Sequence, residues 1–190
     1  MKAYLIPGNG EDLKSRNYQA VLDIYKKLGY QPIFVPIKWN YRTIDDWIAE
    51  VDNKIPAKEI QNSLLSGFSF GSMIALAVAA QVNPKKLLLF SLSPYFKEDF
   101  PLPKDYAKWA GKRKTENFKT FSMNDLAVKI NCPTIIFIGR KEIDKYSDMD
   151  ERSSEAHKRI KNSRLVVVED VGHDVSDPKY VESIKHSLNT

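Results

Sequence analysis

The chain has 190 residues, 43% of them hydrophobic, enough for one domain with a true core and too few for two of ordinary size. Its formal charge of +5 arises from 29 basic residues spread among 24 acidic ones, which describes a solvated mixed surface, so no nucleic-acid partner is expected. A single cysteine, Cys132, excludes an internal disulfide framework, and no apolar run is long enough for a membrane span or a signal peptide, so a cytoplasmic protein is expected.

Residues 3–6 form a short apolar run that stops at Pro7-Gly8-Asn9-Gly10. The spacing of Leu13, Ala20, Val21, Ile24, Tyr25 and Leu28 then predicts an amphipathic helix ended by Gly29. Residues 33–37 read as a second strand. Thr43 reads as the N-cap of a helix with Asp45 and Asp46 in its first turn and Ile44, Trp47, Ile48 and Val51 on its apolar face. A third apolar run at 64–68 turns into an Ala-rich helix, and 87–92 is a continuous apolar run of the kind that fits a parallel strand covered on both faces.

From Ser93 to about Asn131 the alternation lapses into prolines, aromatics and lysines, so 93–131 reads as a lid-like insertion in a single domain spanning 1–190. Residues 133–139 restore a strand, 150–160 a helix and 165–168 the last strand, and a terminal helix starts near Asp177 with Pro178 in its first turn. Six strands alternating with helices predict an α/β three-layer sandwich, a parallel sheet with helices on both faces. Ligands of such sheets lie beyond the carboxyl ends of the strands.

At that end stands Gly67-Phe68-Ser69-Phe70-Gly71, a match to the G-x-S-x-G nucleophile elbow at a strand-to-helix turn. Lifting a serine hydroxyl above the sheet needs a strained turn that brings the residues two before and two after it together, where only hydrogen side chains fit. A serine hydroxyl is a poor nucleophile at neutral pH and needs a base, itself oriented by a third group. Of three histidines, His157 and His186 fall on helical faces expected to be exposed, whereas His173 follows the last strand at the ligand end and is the candidate base. Glu142 and Asp144 both follow the fifth strand, and either could orient it, with Glu142 the first choice. The Phe70 N–H faces the place where an oxyanion would form, and Asn9 N–H in the glycine-rich first loop is the candidate second donor.

No cluster of His, Cys and Asp has metal-ligand spacing, and the 7–10 loop lacks the third glycine of a dinucleotide fingerprint and the lysine of a P-loop. No metal and no cofactor are expected. In the insertion, Tyr95, Phe96 and Trp109, with Phe100, Tyr106, Phe118 and Phe121, either wall an apolar acyl or aryl pocket or anchor the excursion to the body.

The order Ser69, then Glu142 or Asp144, then His173, with Pro7-Gly8-Asn9-Gly10 in the place of the oxyanion-loop HGxG, resembles the α/β-hydrolase superfamily. The resemblance implies a sheet of order 2-1-3-4-5-6, counting strands from the N-terminus, without the two leading antiparallel strands of larger members. The short length, the PGNG start and Asn131-Cys132-Pro133 are similar to the small serine hydrolases of the retinoblastoma-binding protein 9 type. That group usually carries histidine and a small residue where Phe68 and Phe70 stand, and aspartate where Glu142 stands. The implied function is hydrolysis of an acyl ester or thioester of a small molecule through an acyl-enzyme; the rival expectation is a non-catalytic binding protein on the same scaffold.

Overall fold

The computed structural model of the chain describes residues 1–15 and 18–189, the side chains of Ala107 and Trp109 excepted. Its strands are β1 (Lys2–Ile6), β2 (Gln31–Phe34), β3 (Leu64–Phe68), β4 (Lys86–Phe90), β5 (Thr134–Gly139) and β6 (Ser163–Val168). The helices are α1 (Tyr18–Lys27), α2 (Ile44–Lys54), α3 (Ala57–Gln61), α4 (Phe70–Val82), α5 (Lys104–Phe118), α6 (Met123–Ala127), α7 (Arg140–Lys145), α8 (Ser147–Arg159) and α9 (Pro178–Asn189). All six strands join one sheet in the order β2-β1-β3-β4-β5-β6, every neighbouring pair parallel, as expected. The chain winds outward from β1 to β2 and then returns to lay β3 on the other side of β1, with Ile6 beside Gly67 at the carboxyl ends. That reversal opens a crevice, the usual ligand position of such sheets.

Alternation along the strands divides the core in two. Tyr4, Ile6, Leu65, Leu87, Leu89 and Ile136 pack on one face with Trp47 of α2, the whole of α4 from Met73 to Ala80, and Ala156 of α8. Ala3, Leu5, Leu64, Leu88, Phe90 and Phe137 pack on the other with Tyr18 and Tyr25 of α1 and Tyr180 and Ile184 of α9. The Ala-rich composition of α4 follows from this placement, because a helix buried on every side must bring its backbone close to the strands.

The insertion belongs to the first of these faces. Phe96, Phe118 and Met123 are fully buried there, and Asn117 Oδ1 accepts the Ile44 N–H at 2.9 Å, capping the start of α2. Asp99 and Arg152, both almost wholly buried, form an ion pair that ties the excursion to α8, and Arg152 lies over the Phe96 ring at 6.0 Å. The excursion is thus built into the core, and anchoring accounts for most of its aromatics.

Several expected boundaries move. The second strand is Gln31–Phe34 and not 33–37, although Val35 N–H still donates to Leu5 at 2.9 Å; Pro36 has no N–H to continue the ladder. Leu13 is 41% exposed and precedes α1, so the apolar stripe of that helix begins at Tyr18. The fourth strand ends at Phe90, because Ser91 turns to φ +51. His157 is half-buried, with Nδ1 2.9 Å from Ser163 Oγ, a structural contact between α8 and β6.

Candidate active site

Ser69 has φ +56 and ψ −117, between β3 and α4. Its N–H donates to the Phe90 carbonyl at 2.9 Å, so the sheet ladder holds the strained residue in place. The flanking glycines are required by contact: a Cβ on Gly67 would lie 2.0 Å from the Gly71 carbonyl oxygen, and one on Gly71 would lie 2.3 Å from that of Ile6. Ser72 Oγ stitches the bend, its single hydroxyl proton shared between the Gly67 and Phe90 carbonyls at 2.5 and 2.8 Å. Ser69 itself is 8% exposed, and its Oγ lies 3.1 Å from Ser93 Oγ.

His173 sits in the loop after β6, with Nδ1 2.5 Å from Glu142 Oε1. Glu142 is 1% exposed, on the first turn of α7, where its Oε2 accepts the Gly139 N–H at 2.7 Å and the Ser91 hydroxyl at 2.8 Å. Asp144, two residues or about 200° further round the helix, points out and is exposed. Of the two carboxylates, the structure brings only Glu142 to His173. With Glu142 an acceptor at both oxygens, His173 Nδ1 is the donor, which leaves Nε2 as the ring's acceptor.

Phe68 and Phe70 have separate tasks. The Phe68 ring lies against the His173 imidazole at 4.7 Å between centroids, and Phe70 packs on Trp47, Tyr95 and Phe118 beneath the cavity. In the 7–10 loop, Gly8 N–H donates to Tyr18 Oη at 2.9 Å and to Glu11 Oε2 at 3.2 Å, and Tyr18 Oη–H donates to Glu11. Asn9 follows Gly8 in this braced loop, and its buried Oδ1 has no partner among the described residues.

Ser69 and His173 open on one cavity of about 240 Å³. Its walls are Pro94, Tyr95, Tyr106, Tyr146 and Met149, with Ser93 in its lining beside Ser69. Tyr95 and Tyr106 stack at 5.4 Å and 22°. Burial above all, with smaller contributions from neighbouring groups that include Asp148, holds both phenols above the ordinary tyrosine range, so these two rings stay neutral. Phe96 does not line the cavity, contrary to expectation; it is fully buried against Phe121 at 5.9 Å. The Trp109 side chain lies outside the described residues.

Four residues at the site escape a reading of the sequence. Ser91 is hidden in an apolar run that continues to Leu92, and only its left-handed backbone shows that the strand has ended. Tyr180, Tyr146 and Met149 come from helices whose facing direction the chain order does not specify. Among the described residues, no group of three or more His, Cys, Asp or Glu side chains is arranged to hold a metal ion, and no helix is long and apolar enough to cross a membrane.

No protein-family model and no curated protein sequence matches the chain. Solved structures do. Est1E from Butyrivibrio proteoclasticus with ferulic acid bound is 18% identical, covers 99% of this chain and 86% of its own, and superposes with a TM-score of 0.77. Mouse alpha/beta hydrolase domain-containing protein 10 is 14% identical, with coverage of 99% and 88% and a TM-score of 0.77. A lipase-esterase related protein from Clostridium acetobutylicum is 19% identical, with coverage of 99% and 93% and a TM-score of 0.67. With its sheet order and all-parallel pairing, the chain has the α/β-hydrolase fold.

Proposed function

We propose that the protein is a serine hydrolase acting on an ester or thioester of a small molecule. The observation that carries this reading is the meeting of a strained Ser69 and a Glu142-held His173 at one small cavity. Ser69 Oγ attacks the acyl carbonyl as His173 Nε2 takes its proton, and Glu142 stabilises the resulting imidazolium. The Phe70 and Asn9 amides hold the oxyanion; Gly8 N–H, engaged by Tyr18 and Glu11, is not the donor from that loop. His173 returns the proton to the leaving group, and water, activated by the same imidazole, releases the acyl group.

The cavity suits a compact, uncharged group. Its volume lies below the ~300–1,000 Å³ of drug-sized sites, and its tyrosine and methionine walls offer flat apolar surface without a cation among its lining residues. The aromatic acid bound to Est1E is of a kind that such walls would accept. The test is hydrolysis of p-nitrophenyl esters of graded acyl length together with fluorophosphonate labelling. Wild type is expected to turn over short acyl esters and to label at Ser69, and Ser69→Ala and His173→Ala are expected to abolish turnover. A folded wild type that neither labels nor hydrolyses would overturn the reading and favour a binding role for the cavity.

A further inference from the structure

The carboxylate that meets His173 is held from behind by a chain of hydroxyls. Ser91 Oγ lies 2.8 Å from Glu142 Oε2 and 3.2 Å from Tyr180 Oη, and all three groups are buried. Proton counting orders the chain. The carboxylate oxygens accept from Gly139 N–H, Ser91 O–H and His173 N–H, so the single Ser91 proton goes to Glu142, and the Tyr180 hydroxyl must donate to Ser91. Ser91 adopts φ +51 to reach this position, a conformation that side chains other than glycine, asparagine and aspartate seldom take. A glutamate has one more rotatable bond than an aspartate, and the relay removes that freedom.

We infer that Ser91, backed by Tyr180, is a positioning residue for the triad: it acts through Glu142 to fix the orientation and tautomer of His173. The inference rests on the hydrolase reading for its kinetic consequence, and on geometry alone for its structural one. Burial and the neighbouring Glu142 charge keep the Tyr180 phenol far above the ordinary tyrosine range, so it remains a donor across the working range of a hydrolase. The titratable groups facing Glu142 are His173 from the loop after β6 and Tyr180 from α9; those sharing the cavity with His173 are the phenols of Tyr95, Tyr106 and Tyr146. The charged groups on α7 itself include Arg140, which is paired at the surface with Glu169.

The variants are Ser91→Gly, which suits the positive φ and removes the hydroxyl, and Tyr180→Phe, which keeps the ring against Phe90 and Phe137. Ser91→Gly is expected to lower kcat/KM about 10- to 100-fold, the loss of one hydrogen bond to a buried charge. Without that donor the carboxylate holds the imidazolium more tightly, so the acid limb of the kcat/KM profile moves to higher pH. Tyr180→Phe is expected to shift it the same way by less. In a Glu142→Gln background Ser91→Gly should cost nothing further, since both act through one carboxylate. The His173 Nδ1 proton, followed by proton NMR as a far-downfield resonance, should move in Ser91→Gly. An equal loss with and without Glu142, or an unmoved pH limb and resonance, would overturn the inference. If wild type hydrolyses no ester, the resonance alone decides: its displacement upholds the relay while the hydrolase reading fails.

Discussion

Ser69, Glu142 and Gly71 show how little freedom single positions have here. Glu142 was readable as a candidate from its place after the fifth strand, but its contest with Asp144 turned on which way each faces from α7. Glu142→Gln keeps the shape and removes the charge that the proposed mechanism sets against the imidazolium, so kcat toward a short p-nitrophenyl ester should fall by about 10⁴-fold. Asp144→Asn, on the exposed side, should leave the rate unchanged; an equal loss in both would return the acid to open choice. Phe68 and Phe70 were the residues least like the expected pattern. Their rings brace His173 and floor the cavity, so bulk at these places is packing around the site and not an obstruction of it.

At the scale of elements, the insertion from 93 to 131 behaves as a wedge. Tyr95 and Tyr106 face the cavity, while Phe118 at the end of α5 packs at 5.9 Å from Phe70 and 5.3 Å from Tyr95. Phe118→Ala should therefore cost about 3–5 kcal/mol of stability, measured by urea unfolding, because the rings around it are packed in the buried core and cannot collapse into the void. The same variant should raise KM for short esters more than it lowers kcat, since Tyr95 loses its support and Ser69 does not. A KM left at the wild-type value would mean that the cavity wall stands without α5. Aromatic density at 93–131 was visible in the chain, but whether each ring faced in or out was not: helix α5 is kinked at Gly111, φ +71, and periodicity does not carry across such a break.

For the whole molecule, buried phenols predict an alkaline limit to stability. Tyr25, wholly buried with its hydroxyl donating to Ser66 Oγ at 2.9 Å, and Tyr180 are both held above the ordinary tyrosine value of 10.0, chiefly by burial. In the unfolded chain these phenols ionise near pH 10; in the folded chain they do not. Above that pH the unfolded state binds fewer protons than the native one, so stability is full below about pH 10 and falls as pH rises further. The urea midpoint should decline between pH 9.5 and 11 with a matching gain of phenolate absorbance, values bracketing the ordinary tyrosine pKa of ~10. Tyr25→Phe should flatten that decline while costing about 0.5–1.5 kcal/mol at neutral pH for the lost hydrogen bond. A decline of wild-type steepness in Tyr25→Phe would assign the alkaline transition to other groups.

By itself, the sequence determined the layered parallel fold and put Ser69 and His173 at the same end of the sheet, because each is written in local signals; the order of the strands came with the resemblance to the α/β hydrolases. Apolar runs and turn residues mark strands, and two glycines four apart mark a bend that no larger side chain can enter. Only the tertiary structure brought Glu142 and not Asp144 to His173, placed Ser91 and Tyr180 behind that carboxylate, and turned Phe96 inward while Tyr106 and Tyr146 line the cavity. Those choices depend on the direction of side chains from elements 31 to 89 residues apart in the chain, a matter of packing angles that no local spacing encodes.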